Sequence, residues 1–237
     1  MANDRGAPPE AARRSQIAMK ESLKINNGCG WYGTIDEFLA ETPATLQKDF
    51  SALIHDLNLP LGDGQIRAWA DSIRVLKREC HELVEQRPGV RHWGLVFEYE
   101  LPRERGRRPD VVLLTGPAAH VIEFKGRQYA EQSDVDQVDA YARDLREYHA
   151  GSHELDVRPI LALDDASLPA QDVDNVTILG GKTLASYLQS VPDNHDSRAR
   201  KPSRLGEACS RRAALGGVVH RQFDAARFIR SLCQTRS

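Results

Sequence analysis

The sequence predicts an α/β fold, a mixed central sheet flanked by helices with extra helices at the N-terminal side. Three observations carry this reading. Residues 94–125 divide into three strand-like runs separated by two turns. A helix over 134–149 follows, and a further strand over 157–163 comes after it. A long amphipathic helix over 64–86 precedes the strands.

Residues 1–28 are polar and carry Pro8-Pro9 and Arg13-Arg14, so a disordered extension is expected there. Gly30-Trp31-Tyr32-Gly33 leads into Thr34. Thr34 and Glu37 have capping-box spacing for a short helix over 35–40. Thr42 as N-cap, with Pro43 at the first helical position, starts the next helix. Its residues Leu46, Phe50, Leu53, Ile54 and Leu57 recur at helical spacing. In helix 64–86 the apolar side is Ile66, Trp69, Ala70, Ile73, Leu76, Cys80, Leu83 and Val84, and Arg87-Pro88-Gly89 ends it. Glu79, Glu82 and Glu85 read as its solvated face.

Residues 94–101 alternate. Leu95, Phe97, Tyr99 and Leu101 share one face, and Val96, Glu98 and Glu100 the other. Residues 102–109 hold Pro, Gly and four Arg, an exposed turn. The apolar run 110–115 is a buried strand, and Gly116-Pro117 turns the chain again. In strand 119–125, Glu123 and Lys125 share a face and Phe124 points the other way. On helix 134–149, Val135, Val138, Ala142 and Leu145 make the apolar stripe. Gln137, Tyr141, Asp144 and Tyr148 lie on a neighbouring stripe, about 100° of rotation per residue placing Gln137 and Tyr141 at the rim of the buried face. Strands are expected over 157–163 and 175–179, and a helix over 182–189. Gly180-Gly181-Lys182-Thr183 is a turn and not a phosphate-binding P-loop, because Val176 stands where the first glycine would be required.

An E-x-K triplet alone is an ordinary surface ion pair. Here it belongs to a set: Asp110 opens one strand, Glu123 closes the next, and Gln137 and Tyr141 sit on the following helix. Asp110 and Glu123 are hard oxygen ligands suited to Mg²⁺, with Mn²⁺ as a substitute. Glu98 is a candidate accessory acid, with Glu100 as its same-face rival. Lys125 is placed to act on water and to offset phosphate charge. Gln137 and Tyr141 are placed to hydrogen-bond a phosphate or metal-bound water. Arg103, Arg105, Arg107 and Arg108 are candidate phosphate-backbone contacts.

Pro109-Asp110 with Glu123-x-Lys125 resembles the signature of the PD-(D/E)xK nuclease superfamily. Gln137-Val138-Asp139-Ala140-Tyr141 resembles the QxxxY motif of its RecB-like members. The wider wording is similar to the nuclease-like front region of bacterial Schlafen-related proteins that continue into a P-loop helicase domain. The resemblance covers roughly residues 31–189. It implies a restriction-endonuclease-like core ordered helix, three strands, helix, strand, a metal ligand from the Phe124 backbone carbonyl, and a helicase or ATPase as possible partner. The expected function is Mg²⁺-dependent hydrolysis of nucleic acid, DNA first. The alternatives are a non-cleaving nucleic-acid-binding module and a protein-interaction module on the same fold.

The whole chain sets bounds on this reading. Its 237 residues allow one sizeable core, read as a nuclease-like domain over 29–191 with a basic tail, a linker or a truncated remnant over 192–237. A net charge of −2 excludes a global basic field, so any nucleic-acid surface is local. The four cysteines, Cys29, Cys80, Cys209 and Cys233, are scattered and point to no disulfide framework or zinc site. With no transmembrane-length apolar run and no secretory signal, a cytoplasmic setting without membrane contact is expected.

Overall fold

Thr34 ends the first strand and is the N-cap of the first helix. The computed structural model describes residues 28–101, 107–116, 118–148, 155–164 and 168–192. The expected N-terminal extension and basic tail fall almost wholly outside them. The elements are β1 (Trp31–Thr34), α1 (Ile35–Ala40), α2 (Pro43–Asp56), α3 (Asp63–Gln86), a 3-10 turn (Pro88–His92), β2 (Gly94–Phe97), β3 (Val111–Leu114), β4 (Ala118–Lys125), α4 (Gln132–Tyr148), β5 (Asp156–Leu163), β6 (Gln171–Val173), β7 (Val176–Gly180) and α5 (Leu184–Gln189). The predicted capping box is formed, with Thr34 Oγ1 accepting from Glu37 N–H and the Glu37 carboxylate accepting from Thr34 N–H.

The seven strands make one mixed sheet ordered β1-β2-β3-β4-β5-β7-β6. β1 to β4 pair antiparallel, β4-β5-β7 run parallel, and β6 closes the far edge antiparallel. The α/β class with a mixed sheet is as predicted. β1 and β6 were not foreseen. β1 is four residues long and interrupted by Gly33, and β6 is three exposed residues, so neither offers a hydrophobic period to read.

Helices cover both faces. Leu95, Phe97, Val111, Leu113, Ile122 and Ile160 pack with α1, α2, α3 and α5. Val96, Val112, Val121, Leu161 and Leu163 pack with Val135, Val138, Ala142 and Leu145 of α4. Ile122 on one face and Val121 on the other carry the pleat forward, so Glu123 and Lys125 emerge on the α4 side.

Two details of the sequence reading are corrected. The first predicted strand stops at Phe97, because Glu98 adopts φ 51° and breaks the alternation. Ile66 and Ala70 of α3 are exposed, while Glu79 is buried rather than solvated. The Glu79 carboxylate accepts from Ala185 N–H at 3.0 Å and from Arg78 Nε at 2.9 Å. It therefore caps α5 from inside the core, where an unpartnered amide would be costly. Among the described residues no helix is long and apolar enough to cross a membrane.

Candidate active site

β3 and β4 pair in a register that sets Val111 opposite Ile122, which brings Asp110 beside Glu123 at the open end of the pair. Asp110 Oδ2 accepts from the Phe124 amide at 2.8 Å. The Asp110 amide points toward Glu123 Oε2 at 3.5 Å. Phe124 turns its ring to the opposite core, as its place between Glu123 and Lys125 requires.

α4 lies across this end. The Lys125 ammonium donates to Glu123 Oε1 at 3.2 Å and to Gln137 Oε1 at 2.9 Å. Gln137 Nε2 donates to Glu123 Oε1 at 3.1 Å and to the Tyr141 hydroxyl at 2.8 Å. The amide orientation is chemically consistent: its oxygen meets a cation and its nitrogen meets a carboxylate. Asp110, Glu123, Lys125, Gln137 and Tyr141 thus form one connected cluster. Tyr141 is more buried than the rim position expected, and the Arg107 guanidinium covers its ring at 5.1 Å.

Glu98 sits at the edge of this cluster, only 5% exposed. Its left-handed backbone turns the carboxylate between α3 and Arg108. Trp69 Nε1 donates to Oε1 at 2.7 Å, and Arg108 Nε donates to Oε2 at 3.0 Å. Gly30 lies against this residue; a Cβ there would stand 2.7 Å from the Phe50 ring and 3.3 Å from Glu98 Cβ. Of the candidate phosphate contacts, Arg108 is thus engaged with Glu98, and Arg107 lies 3.1 Å from Asp144. Arg103 and Arg105 lie outside the described residues.

Sequence reasoning missed Asp134. Its carboxylate lies 3.6 Å from Lys125 Nζ, pairs with Arg127, and accepts from Glu131 N–H at 3.0 Å. An acid at the third position of a helix, reaching back to the cap residue's amide, is a readable signal. Its contact with Lys125 is not, because that depends on where α4 docks.

The electrostatics follow from crowding acids in a dry corner. Burial, then repulsion from Glu123 and Glu98, holds the Asp110 carboxyl well above the usual carboxylate range; the Phe124 amide and Lys125 pull it back only in part. Burial also raises Glu123 against the pull of Lys125. For Lys125, burial works against the charge, but Glu123, Asp134 and Asp110 together outweigh it and its pKa rises. Buried carboxylates raised by burial and by neighbouring acids are a place where a cation is stabilising. Among the described residues no group of three or more acidic, histidine or cysteine side chains is arranged as a ready ligand set. Asp110 and Glu123 nonetheless fit Mg²⁺, which ordinarily binds through one or two carboxylates and keeps several waters.

Comparison with protein families, with curated proteins and with solved structures finds no match to this chain.

Proposed function

We propose that this chain is a Mg²⁺-dependent nuclease that hydrolyses DNA phosphodiesters on a restriction-endonuclease-like core. The observation that carries the proposal is the connected cluster of Asp110, Glu123, Lys125, Gln137 and Tyr141. Five polar side chains, from the residue before β3, the end of β4 and α4, converge at one end of the β3–β4 pair. The order α3, β2, β3, β4, α4, β5 is also the order that the PD-(D/E)xK resemblance implies.

Phosphodiester hydrolysis needs an in-line water and stabilisation of charge on the transferring phosphoryl oxygens. Asp110 and Glu123, with the Phe124 carbonyl, would hold Mg²⁺, which supplies Lewis-acid stabilisation and a more acidic bound water. Lys125 places a fixed positive charge beside the carboxylates, where it can meet a phosphate oxygen or orient the attacking water. Gln137 tethers Lys125 and Glu123 to α4, so the chemistry-bearing groups keep their spacing. Tyr141 anchors Gln137 from the core side. Glu98, held by Trp69 and Arg108, adds negative potential to the corner and is the accessory acid in this scheme. A helicase or ATPase partner rests on the sequence resemblance alone.

The test is cleavage of linear, circular and single-stranded DNA, with RNA alongside, in Mg²⁺, Mn²⁺ and EDTA. Cleavage that needs the metal and disappears in Asp110→Asn is the expected result. Cleavage undiminished in EDTA would remove the metal; no cleavage of any substrate would leave the binding-module alternative.

A further inference from the structure

The loop between β4 and α4 carries Tyr129, which is 63% exposed. A lone exposed apolar side chain is ordinary on a protein surface. The position of this one is not. The loop leaves Lys125 and enters α4 just before Asp134 and Gln137, so both of its ends carry cluster residues. The Arg127 guanidinium lies 5.6 Å from the Tyr129 ring centroid. The same guanidinium pairs with Asp134 and, at 3.2 Å, with Glu131. Asp134 in turn lies 3.6 Å from Lys125 Nζ. Tyr129 is therefore tied to the Lys125 ammonium through two charged side chains.

We infer that Tyr129 and Arg127 form a nucleobase-stacking subsite at the rim of the cluster, and that the substrate is single-stranded nucleic acid. The inference rests on the proposed nuclease reading for what lies beside the subsite. A flat aromatic ring offers a base its face. In a duplex the base faces are covered by their neighbours and only edges reach the grooves, so the ring has nothing to stack on. A single strand can lay an unstacked base on it, whatever the base, because every base has a π-face. Arg127 supports this by holding the ring in a cation–π contact, while Asp134 and Glu131 hold the guanidinium. Arg103 and Arg105 are not needed for the subsite.

The test is binding of a labelled single strand of about 12 nucleotides, within the span that a single-strand groove covers, and of a closed hairpin duplex of the same sequence. DNA and RNA versions are measured in EDTA by fluorescence anisotropy, on wild type, Tyr129→Ala and Tyr129→Trp. Tyr129→Ala should weaken single-strand binding by about tenfold, the range of one lost base–aromatic stack, and leave hairpin binding unchanged. Tyr129→Trp should retain single-strand binding. The DNA and RNA arms identify the sugar. Equal affinity of wild type and Tyr129→Ala for the single strand, an equal loss on strand and hairpin, or no binding to any of the four probes would overturn the subsite. A Mg²⁺ cleavage assay on the same samples separates the two readings. Tyr129-dependent binding without cleavage keeps the subsite and sinks the nuclease; cleavage indifferent to Tyr129, with equal single-strand affinity, does the reverse.

Discussion

The Lys125 ammonium donates to the Gln137 side-chain oxygen at 2.9 Å, joining the end of β4 to the second turn of α4. With the Gln137 bond to Glu123 and the Lys125–Asp134 pair, this contact turns two sequence features into one site. Without these contacts, Glu123-x-Lys125 would be a strand-end ion pair and Gln137 a helix-surface amide.

Lys125→Ala should lower cleavage by about 10²–10³, the usual cost of removing one electrostatic stabiliser of a transition state. Mn²⁺ binding, read by calorimetry, should survive because Asp110 and Glu123 remain. Stability should fall by about 1–3 kcal/mol, since Glu123 loses a hydrogen-bonded cation in a buried corner. Lys125→Met keeps the stem and separates lost charge from lost packing. Unchanged cleavage in both variants would return Lys125 to a structural ion pair.

Asp110→Asn should change the pH dependence of the metal-free protein. Burial, then Glu123 and Glu98, raise the folded pKa of Asp110 above its unfolded value. The folded state therefore holds the proton longer. The stability this contributes is complete below about pH 4, the unfolded value, and is lost as pH rises through the folded pKa. Wild type should thus lose melting temperature over that rise more steeply than Asp110→Asn. At neutral pH, Mg²⁺ should raise the Tm of wild type and not of the variant. Parallel Tm–pH curves would show that Asp110 does not carry this charge burden.

Arg108→Ala should act on stability. Arg108 and Glu98 have side chains only 10% and 7% exposed. Removing one partner leaves a buried carboxylate with Trp69 alone, a loss that typically costs about 3–5 kcal/mol. Chemical denaturation measures it. A Glu98→Gln, Arg108→Met double variant should recover much of the loss, because it leaves no uncompensated charge. A variant as stable as wild type, with weaker DNA binding and a flatter salt dependence, would instead assign Arg108 to phosphate.

His120→Leu should blunt acid unfolding. His120 is fully buried on β4, and neither ring nitrogen has a hydrogen-bond partner among the described residues. Burial, reinforced by Arg158, lowers its pKa to about 4. With the folded pKa depressed, its stabilising share is present above the unfolded value of about 6.5 and is lost as pH falls through the folded one. The difference in unfolding free energy between pH 7 and pH 4 should shrink by about 3 kcal/mol in the variant. An unchanged difference would mean that the imidazole is solvated in solution.

Short-range periodicity by itself determined much of this protein. The two-residue repeat of β4 put Glu123 and Lys125 on one face, and the four-residue step of α4 put Gln137 below Tyr141. Thr34, Glu37, Thr42 and Pro43 marked two helix starts at the residues where they occur. Such features depend on pleat and helical turn, which act over a few residues. Tertiary structure decided the rest. Trp69 reaches Glu98 across 29 residues only because α3 packs on the sheet where Glu98 takes a left-handed φ. Arg108 turned inward to that carboxylate, since a buried charge draws the nearest counter-charge. Glu79 caps a helix 106 residues away, and Asp134 meets Lys125 through the docking of α4. Buried polar groups must find partners wherever the fold supplies them, and a local pattern carries no record of which distant segment that will be.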